Sequence, residues 1–228
     1  MKVDIKKFDF KSDKILSSLT EKERSLFLEQ SEELMFKKGK LIFYEGGIPT
    51  GAFVVNSGRT KIYKTGLDGK DQIFYVYKAG DLLGYHALLC EEQYEDSCEA
   101  LEDCKISFIS KTRFQKLLHQ IPNLNQLLIQ NMSHEFGVLV NTITILAQKP
   151  LRERLALWLL ILNEKYKNQN GAILLPREDL ANIIGTARES LGRLLKEFRE
   201  DQLIEIDNKV IRIIDISKLL KIASSEYM

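Results

Sequence analysis

The spacing of apolar positions along the chain changes twice. Residues 12–30 follow two short helical patterns, and the second starts with Thr20 and Glu23 at capping-box spacing. From about residue 34 to 110, short β-branched and aromatic runs alternate with glycines, which is typical of a β-sandwich or barrel. Helical spacing then returns, and it is interrupted by a short strand pattern at 173–175 and by a hairpin pattern at 203–215. The pattern predicts an α+β protein in which a β domain precedes a helical one.

The predicted strands of the β domain are short and lie close together in the sequence. They are LIFYE, AFVVN, RTKIYK, QIFYVY, CEALE and KISFI. LDGK, residues 67–70, predicts a hairpin turn between two of them. Ser110 is expected to begin the helix that follows the last strand.

A long helix is predicted from about Asn123 to Gln148, after Pro122. Its apolar residues alternate spacings of three and four, as the a and d positions of a coiled coil do. This seam consists of Ile129, Met132, Phe136, Leu139, Ile143 and Leu146. It predicts pairing with a second copy of the chain, and the alternative is that it packs on the β domain. The helix is expected to end at Lys149, because a residue before proline disfavours helix.

Residues 176–199 predict two helices joined by a tight turn. Gly185 follows the first helix and suits a helix end that requires positive φ. Thr186 is expected to begin the second helix, in a capping box with Glu189. The apolar stripes are Leu180, Ile183 and Ile184 in the first helix, and Leu191, Leu194, Leu195 and Phe198 in the second. Two short helices with a glycine turn indicate a helix-turn-helix.

The segments around this motif complete a domain. Residues 203–215 are two alternating apolar runs around Asp207 and Asn208, which predicts a β-hairpin and hence a winged helix. Residues 151–166 are expected to form an amphipathic helix beneath it, with Trp158 in the core. Residues 173–175 are expected to form a short strand.

The polar face of the second helix has the chemistry for reading DNA. Arginine can donate two hydrogen bonds to guanine, and glutamate can accept one from cytosine. Arg188, Glu189 and Arg193 are therefore the candidate base-reading residues. The alternatives are that Glu189 only caps the helix and that the arginines are only solvated. Candidate contacts to the DNA backbone are Thr186, Ser190, Lys196 and Arg177.

Residues 175–215, LPREDLANIIGTARESLGRLLKEFREDQLIEIDNKVIRIID, resemble the DNA-binding domain of the bacterial Crp/Fnr transcription factors, the cyclic-AMP receptor protein family. RESLGR, residues 188–193, is similar to the motif of the cyclic-AMP receptor branch, in which the matching residues read a TGTGA-like half-site. The fumarate–nitrate branch has serine before the final arginine, where this chain has Gly192. FKKGKLIFYEGG, VVNSGRTKIYK and YKAGDLLGYHALL resemble the family's cyclic-nucleotide-binding β-roll.

The resemblance implies a three-part organisation. Residues 1–121 would form a β-roll sensor domain with flanking helices, 122–149 a dimerisation helix, and 150–228 a winged helix-turn-helix domain. The implied function is a homodimeric regulator of transcription, and RNA polymerase is a further expected partner. Two-fold symmetry predicts a near-palindromic double-stranded DNA site with half-sites about one turn apart.

The β-roll of this chain departs from the family where the ligand binds. The family's phosphate cassette starts with a Gly-Glu pair and has an arginine about ten residues later; here the pair is Gly84-Tyr85, and the arginine falls on Tyr94 or Glu95. No Arg or Lys occurs between Lys78 and Lys105. Since a carboxylate repels a cyclic phosphate, tight binding of cyclic AMP is not expected. An unknown small effector would instead contact Gly84, Tyr85, His86, Tyr94 and Cys98.

Other sensing chemistries remain as alternatives. No cofactor or metal is expected. Haem is an alternative, because the family's carbon-monoxide sensor ligates haem with a histidine near the position that His86 occupies in this chain. Cys90, Cys98 and Cys104 lack the spacing of a zinc site or of the family's iron–sulfur cluster, and a redox role for these thiols is a second alternative. A regulator controlled only by its amount is a third. The chain has no HExxH, GxSxG or Walker A motif, so an enzyme is not expected.

Composition adds little to this picture. The 228 residues carry a net charge of +1, so a DNA-binding surface must be a local patch. No stretch approaches 18 apolar residues, and the N-terminus lacks the apolar core of a secretory signal. A cytoplasmic protein with reduced cysteines and no membrane partner is expected.

Overall fold

A computed structural model describes residues 4–167 and 170–224. The chain divides into two compact units, one of residues 10–137 and the other of residues 1–9 with 138–228. The predicted three-part division stays a prediction. None of the helices in the described ranges is long and apolar enough to cross a membrane.

The first unit holds two antiparallel four-stranded sheets. In chain order its elements are α1 (Asp13–Ser17), α2 (Glu21–Glu29), β1 (Glu32–Phe36), β2 (Leu41–Phe43), β3 (Gly51–Ser57), β4 (Thr60–Thr65), β5 (Asp71–Tyr77), β6 (Leu82–Leu83), α3 (Tyr85–Cys90), β7 (Ser97–Ala100), β8 (Cys104–Ser110), α4 (Lys111–Gln120) and the start of α5 (Pro122–Gln148). The strand orders are β1-β8-β3-β6 and β2-β7-β4-β5. The β-roll expected from the sequence is therefore present, and β1 and β6 are additions to the six predicted strands.

Local features of this unit agree with the sequence patterns. The capping box of α2 forms, with Thr20 and Glu23 bonded to each other's backbone. The β4–β5 hairpin closes through the Gly66 amide, which donates to the Lys70 carbonyl at 2.8 Å. Gly69 has φ 75° in that turn, a conformation that other residues rarely adopt. Ser110 is the N-cap of α4, but its side chain makes no capping hydrogen bond.

The first unit has an apolar core formed by its helices and strands. Phe27 of α2 and Phe114 of α4 pack edge to face with ring centroids 6.5 Å apart. Leu124 and Leu128, from the start of α5, are fully buried in the same cluster. This core holds the first turns of α5 against the β-roll.

The second unit is the winged helix-turn-helix. Its elements are a 3-10 helix (Ile5–Phe8), α6 (Leu151–Lys165), α7 (Arg177–Ile184), α8 (Arg188–Glu200), β9 (Ile204–Asp207), β10 (Val210–Ile213) and α9 (Ile216–Ala223). Trp158 is buried in the core, as predicted.

Two local predictions for this unit are wrong. Helix α6 is not amphipathic, because every residue from 155 to 162 is buried; the 3-10 helix, α7, β10 and α9 all pack on it. Residues 173–175 do not form a strand. Only Ile173 pairs, in a single bridge to Ile211.

Candidate functional site

The turn between α7 and α8 differs in one respect from the sequence prediction. Gly185 has φ 66°, as expected for a glycine that ends a helix. The Thr186 amide donates back to the Ala181 carbonyl at 3.1 Å, so Thr186 belongs to the turn. Helix α8 begins at Arg188 with Ala187 as its N-cap, and Ala187 has no side-chain capping bond. The predicted capping box of Thr186 and Glu189 is therefore wrong.

Helix α8, the predicted reading helix, exposes the residues predicted to contact bases. Leu191, Leu195 and Phe198 are buried against the domain. Arg188, Glu189 and Arg193 are exposed on the remaining surface. Arg193 donates to the Ser190 hydroxyl at 3.4 Å, a weak contact that leaves its guanidinium available to a partner.

Gly192 lies on the same exposed surface, in the interior of α8. A Cβ added to Gly192 would meet nothing within 4 Å among the described residues, and its φ is not positive. Glycine inside a helix costs up to about 1 kcal/mol relative to alanine. Neither packing nor backbone geometry in the free protein requires a glycine here.

The predicted backbone-contacting residues differ in exposure. Lys196 is exposed and lies 3.8 Å from Glu200, whereas Thr186 and Ser190 are half-buried. Arg177, in the first turn of α7, is also half-buried, and burial lowers the pKa of its guanidinium. Its Nη1 has no hydrogen-bond partner among the residues that the structure describes.

The predicted seam of α5 lies largely at the surface. Ile129, Phe136 and Ile143 are 63%, 68% and 64% exposed. Met132, Leu139 and Leu146 are half-buried, and Met132 packs partly on the core of the first unit. The residues of α5 that are buried are Leu124, Leu128, Asn131, Val138 and Thr142, which form a different stripe. The helix thus covers one stripe with its own chain and leaves a second apolar stripe open.

The predicted effector pocket brings most of its residues together, but aromatic rings occupy its interior. Tyr94 stacks on Phe43 with ring centroids 4.2 Å apart, and its hydroxyl donates to the Gly51 carbonyl at 3.3 Å. Gly84 is the N-cap of α3 with φ 75°, and its added Cβ would lie 3.4 Å from the Tyr94 hydroxyl. Cys98 is fully buried in β7, and burial raises the pKa of its thiol.

At the edge of this region, one lysine is paired with two carboxylates. Glu95, one of the two positions where the family's arginine falls, lies 2.9 Å from Lys64. The same Lys64 ammonium lies 2.9 Å from Glu45. Because two carboxylates hold this cation, it does not replace the missing arginine as a phosphate ligand.

Tyr85 and His86 lie at the start of α3 and face different surroundings. The Tyr85 ring is buried in the core of the first unit, and its hydroxyl accepts a hydrogen bond from Asn131 Nδ2 at 2.9 Å. His86 Nε2 lies 3.6 Å from Asp96 Oδ1, and its side chain is 31% exposed.

A polar cluster beneath α5 was not predicted from the sequence. Asn131 Nδ2 also donates to Glu135 Oε1 at 2.7 Å, and Glu135 is hydrogen-bonded to Tyr85. Burial raises the pKa of Glu135 to about 7. The only sequence clue is that Asn131 and Glu135 interrupt the buried stripe of α5 at helical spacing.

No group of three or more His, Cys, Asp or Glu residues in the described ranges is arranged to hold a metal ion. Cys98 and Cys104 are buried and Cys90 is exposed, all three as free thiols.

The domain architecture is matched by two family models. Residues 33–121 match the cyclic nucleotide-binding domain, and residues 153–222 match the Crp-like helix-turn-helix domain. The fumarate and nitrate reduction regulatory protein of Vibrio cholerae is 27% identical over 192 residues, which cover 82% of this chain and 76% of that protein. Electron transport regulator A of Shewanella oneidensis is 28% identical over 194 residues, or 83% of this chain and 77% of that protein.

The chain belongs to the Crp/Fnr family of transcription regulators. It is a DNA-binding regulator, and the relatives named above are regulators rather than enzymes.

Two solved structures share the fold. FixK2 from Bradyrhizobium japonicum superposes with a TM-score of 0.75 at 19% identity, covering 84% of this chain and 96% of that one. The c-di-GMP-responsive global regulator CLP of Xanthomonas campestris gives a TM-score of 0.74 at 21% identity, covering 86% and 100%.

Proposed function

We propose that this Crp/Fnr regulator acts as a homodimer that reads a near-palindromic DNA site and responds to an effector other than cyclic AMP. The observation that carries the dimer is the open apolar stripe on α5. Exposed apolar side chains spaced as coiled-coil a and d positions favour pairing with a like helix, because pairing removes them from water. A second copy offers an identical stripe.

DNA recognition is assigned to the exposed face of the reading helix. Arg188, Glu189 and Arg193 contact bases in the major groove, since their side chains are exposed and have donors and acceptors that match base edges. Thr186, Ser190, Lys196 and Arg177 contact the DNA backbone and set the register of the domain. RNA polymerase is the expected partner once the regulator is on DNA.

The effector site is assigned to the β-roll beside α3. The position of the family's phosphate-binding arginine falls on Tyr94 or Glu95 in this chain. The nearby cation, Lys64, is held by two carboxylates. An effector of this protein is therefore not recognised as a phosphate by this edge. Haem at His86, or a redox role for Cys90, Cys98 and Cys104, is the alternative sensing chemistry in the same fold.

The dimer is tested by placing a charge in the seam. Phe136 is 68% exposed in the single chain, so Phe136→Asp leaves the fold of the chain intact and places carboxylates in the paired seam. We expect the parent to sediment as a dimer and this variant as a monomer at the same concentration. Leu67→Asp is the matched control, because Leu67 is fully exposed in the β4–β5 turn. A monomeric parent, or a dimeric Phe136→Asp protein, would refute the assignment of the interface.

A further inference from the structure

The first turn of α6 carries two arginines, of which one contacts the C-terminal end of the reading helix and the other contacts the turn that precedes this helix. All of these contacts lie within the second compact unit. Arg152 Nη2 is 2.6 Å from Asp201 Oδ2, and its Nη1 is 3.3 Å from Glu197 Oε2. Its guanidinium also lies over the Phe198 ring, 5.0 Å from the centroid. Arg152 therefore holds the C-terminal end of α8 through two hydrogen-bonded ion pairs and a cation–π contact.

Arg154 makes a different connection, between the turn that precedes α8 and the end of α5. Its Nη1 donates to the Gly185 carbonyl at 3.4 Å and to the Leu146 carbonyl at 3.5 Å. The first carbonyl belongs to the helix-turn-helix turn, and the second to the last turn of α5. Both contacts are long, but the same nitrogen lies between the last turn of α5 and the turn that sets the start of the reading helix.

The sequence explains why the Leu146 carbonyl is open to a side chain. In a continuous helix this carbonyl would accept from the amide four residues later. That residue is Pro150, which has no N–H. The carbonyl therefore needs another donor, and Arg154, four residues beyond the proline, provides it.

The environment of Arg154 fits a functional constraint. Burial lowers the pKa of its guanidinium. Its Nε is buried and has no hydrogen-bond partner among the described residues. A buried donor without a partner is unfavourable, so packing alone does not account for an arginine here.

We propose that Arg154 is a positioning residue for DNA recognition: by joining the end of α5 to the turn before α8, it fixes the separation and orientation of the two reading helices in the dimer. Arg152 supports it by holding the other end of α8. The proposal rests on the α5 dimer of the preceding section. It predicts that Arg154 controls which half-site spacing is accepted, rather than how well one half-site is bound.

The spacing of half-sites gives a direct readout. Each added base pair moves one half-site by about 3.4 Å and rotates it by roughly 34° relative to the other. The probes are duplexes with two inverted TGTGA half-sites, separated by central spacers that differ by one base pair, and a duplex with one half-site. The parent is expected to bind one spacing best.

Arg154→Met keeps the aliphatic stem and removes the donors. We expect this variant to bind the single half-site like the parent. Its preference for the best spacing over the neighbouring spacings should fall about fivefold, which is the factor that corresponds to one hydrogen bond of about 1 kcal/mol. Arg154→Lys retains a donor and should recover part of that preference. Arg113→Ala, which removes an exposed ion pair with Glu32 in the β-roll unit, should leave the profile unchanged.

Two results would overturn the proposal in distinguishable ways. If the parent has a preferred spacing and Arg154→Met keeps the same profile, Arg154 does not position the reading helices. If the parent has no preferred spacing, the α5 dimer itself is wrong, and the role of Arg154 fails with it. Should Arg154→Met lose half-site binding through misfolding, Arg154→Lys decides instead. A folded lysine variant with intact half-site binding and a weakened spacing preference would support the proposal, and one with the parental profile would overturn it.

Discussion

The buried carboxyl of Glu135 should make the stability of the β-roll unit depend on pH. Glu135 lies on α5, hydrogen-bonded to Asn131 of the same helix and to Tyr85 of α3. Burial is the main cause that raises its pKa, and the charge of Asp81 adds to it. Positive charge on His86 acts in the opposite direction. The perturbation that tests this is Glu135→Gln, which keeps the shape and removes the charge.

The size of the effect follows from the two pKa values. The ordinary pKa of the carboxyl is 4.5, and in the folded protein it is about 7. Because the folded state holds the proton more tightly, Glu135 has no effect below about pH 4.5, where both states are protonated. Folding is destabilised increasingly as the pH rises from 4.5 to about 7, and by about 3 kcal/mol above that. Glu135→Gln should therefore stabilise this unit at pH 8 by up to about 3 kcal/mol and change little near pH 4.5.

Urea unfolding between pH 5 and pH 8 measures this difference, with near-ultraviolet circular dichroism of the tyrosines as the probe. Trp158 is the only tryptophan of the sequence and lies in the second unit, so its fluorescence follows the other unit in the same sample. Glu29→Gln, at an exposed position of α2, is the control. If Glu135→Gln and the parent lose stability in parallel from pH 5 to pH 8, the raised pKa is not a property of Glu135.

Four other changes test the DNA and effector assignments. Arg193→Ala should cost about 1–3 kcal/mol on the preferred site and relax the preference for one base; parental binding in a gel-shift titration would exclude Arg193 from the reading face. Lys196→Ala should weaken binding to all sequences and reduce the slope of log K against log salt by about 1; an unchanged slope would argue against a phosphate contact. Gly192→Ala should stabilise α8 by up to about 1 kcal/mol but weaken DNA binding, because the added methyl separates the helix from the base edges; unchanged affinity would leave the glycine without a role in DNA binding. Calorimetric titration with cyclic AMP should detect no micromolar binding, and such binding would show that Glu95 and Lys64 do not determine ligand choice.

The sequence predicted those elements whose patterns are local. The β-branched runs between glycines became strands, and the spacing on α5 identified both the helix and its open stripe. Strand β1 was missed because it is an edge strand with mostly exposed side chains, so it shows no apolar alternation. Strand β6 has only two residues, too few for any pattern.

Predictions failed where neighbours in space decide the outcome. Thr186 and Glu189 have the spacing of a capping box. The Thr186 amide is instead hydrogen-bonded within the Gly185 turn, and α8 therefore begins at Arg188. Helix α6 is covered on all sides by elements distant in the sequence, which its own periodicity does not encode. The cluster of Tyr85, Asn131 and Glu135 joins residues about fifty positions apart, so the sequence offered only two polar interruptions in an apolar stripe.

The contacts inside the predicted effector pocket also depend on residues distant in the sequence. The sequence placed Tyr94 among the residues that would contact an effector, and it lies beside Gly84 as that prediction requires. Its stacking on Phe43 and its bond to the Gly51 carbonyl depend on two other strands. An effector that enters this region must displace the rings of Tyr94 and Phe43 or pack against them.

Native mass spectrometry of the protein on one duplex with two inverted TGTGA half-sites tests the central claim most directly. The account predicts a complex of two chains and one duplex, with the same dimer present without DNA. Extra mass on the free dimer would report the chemical class of the effector. A single chain on the duplex, together with a monomer in its absence, would contradict the dimeric regulator proposed here.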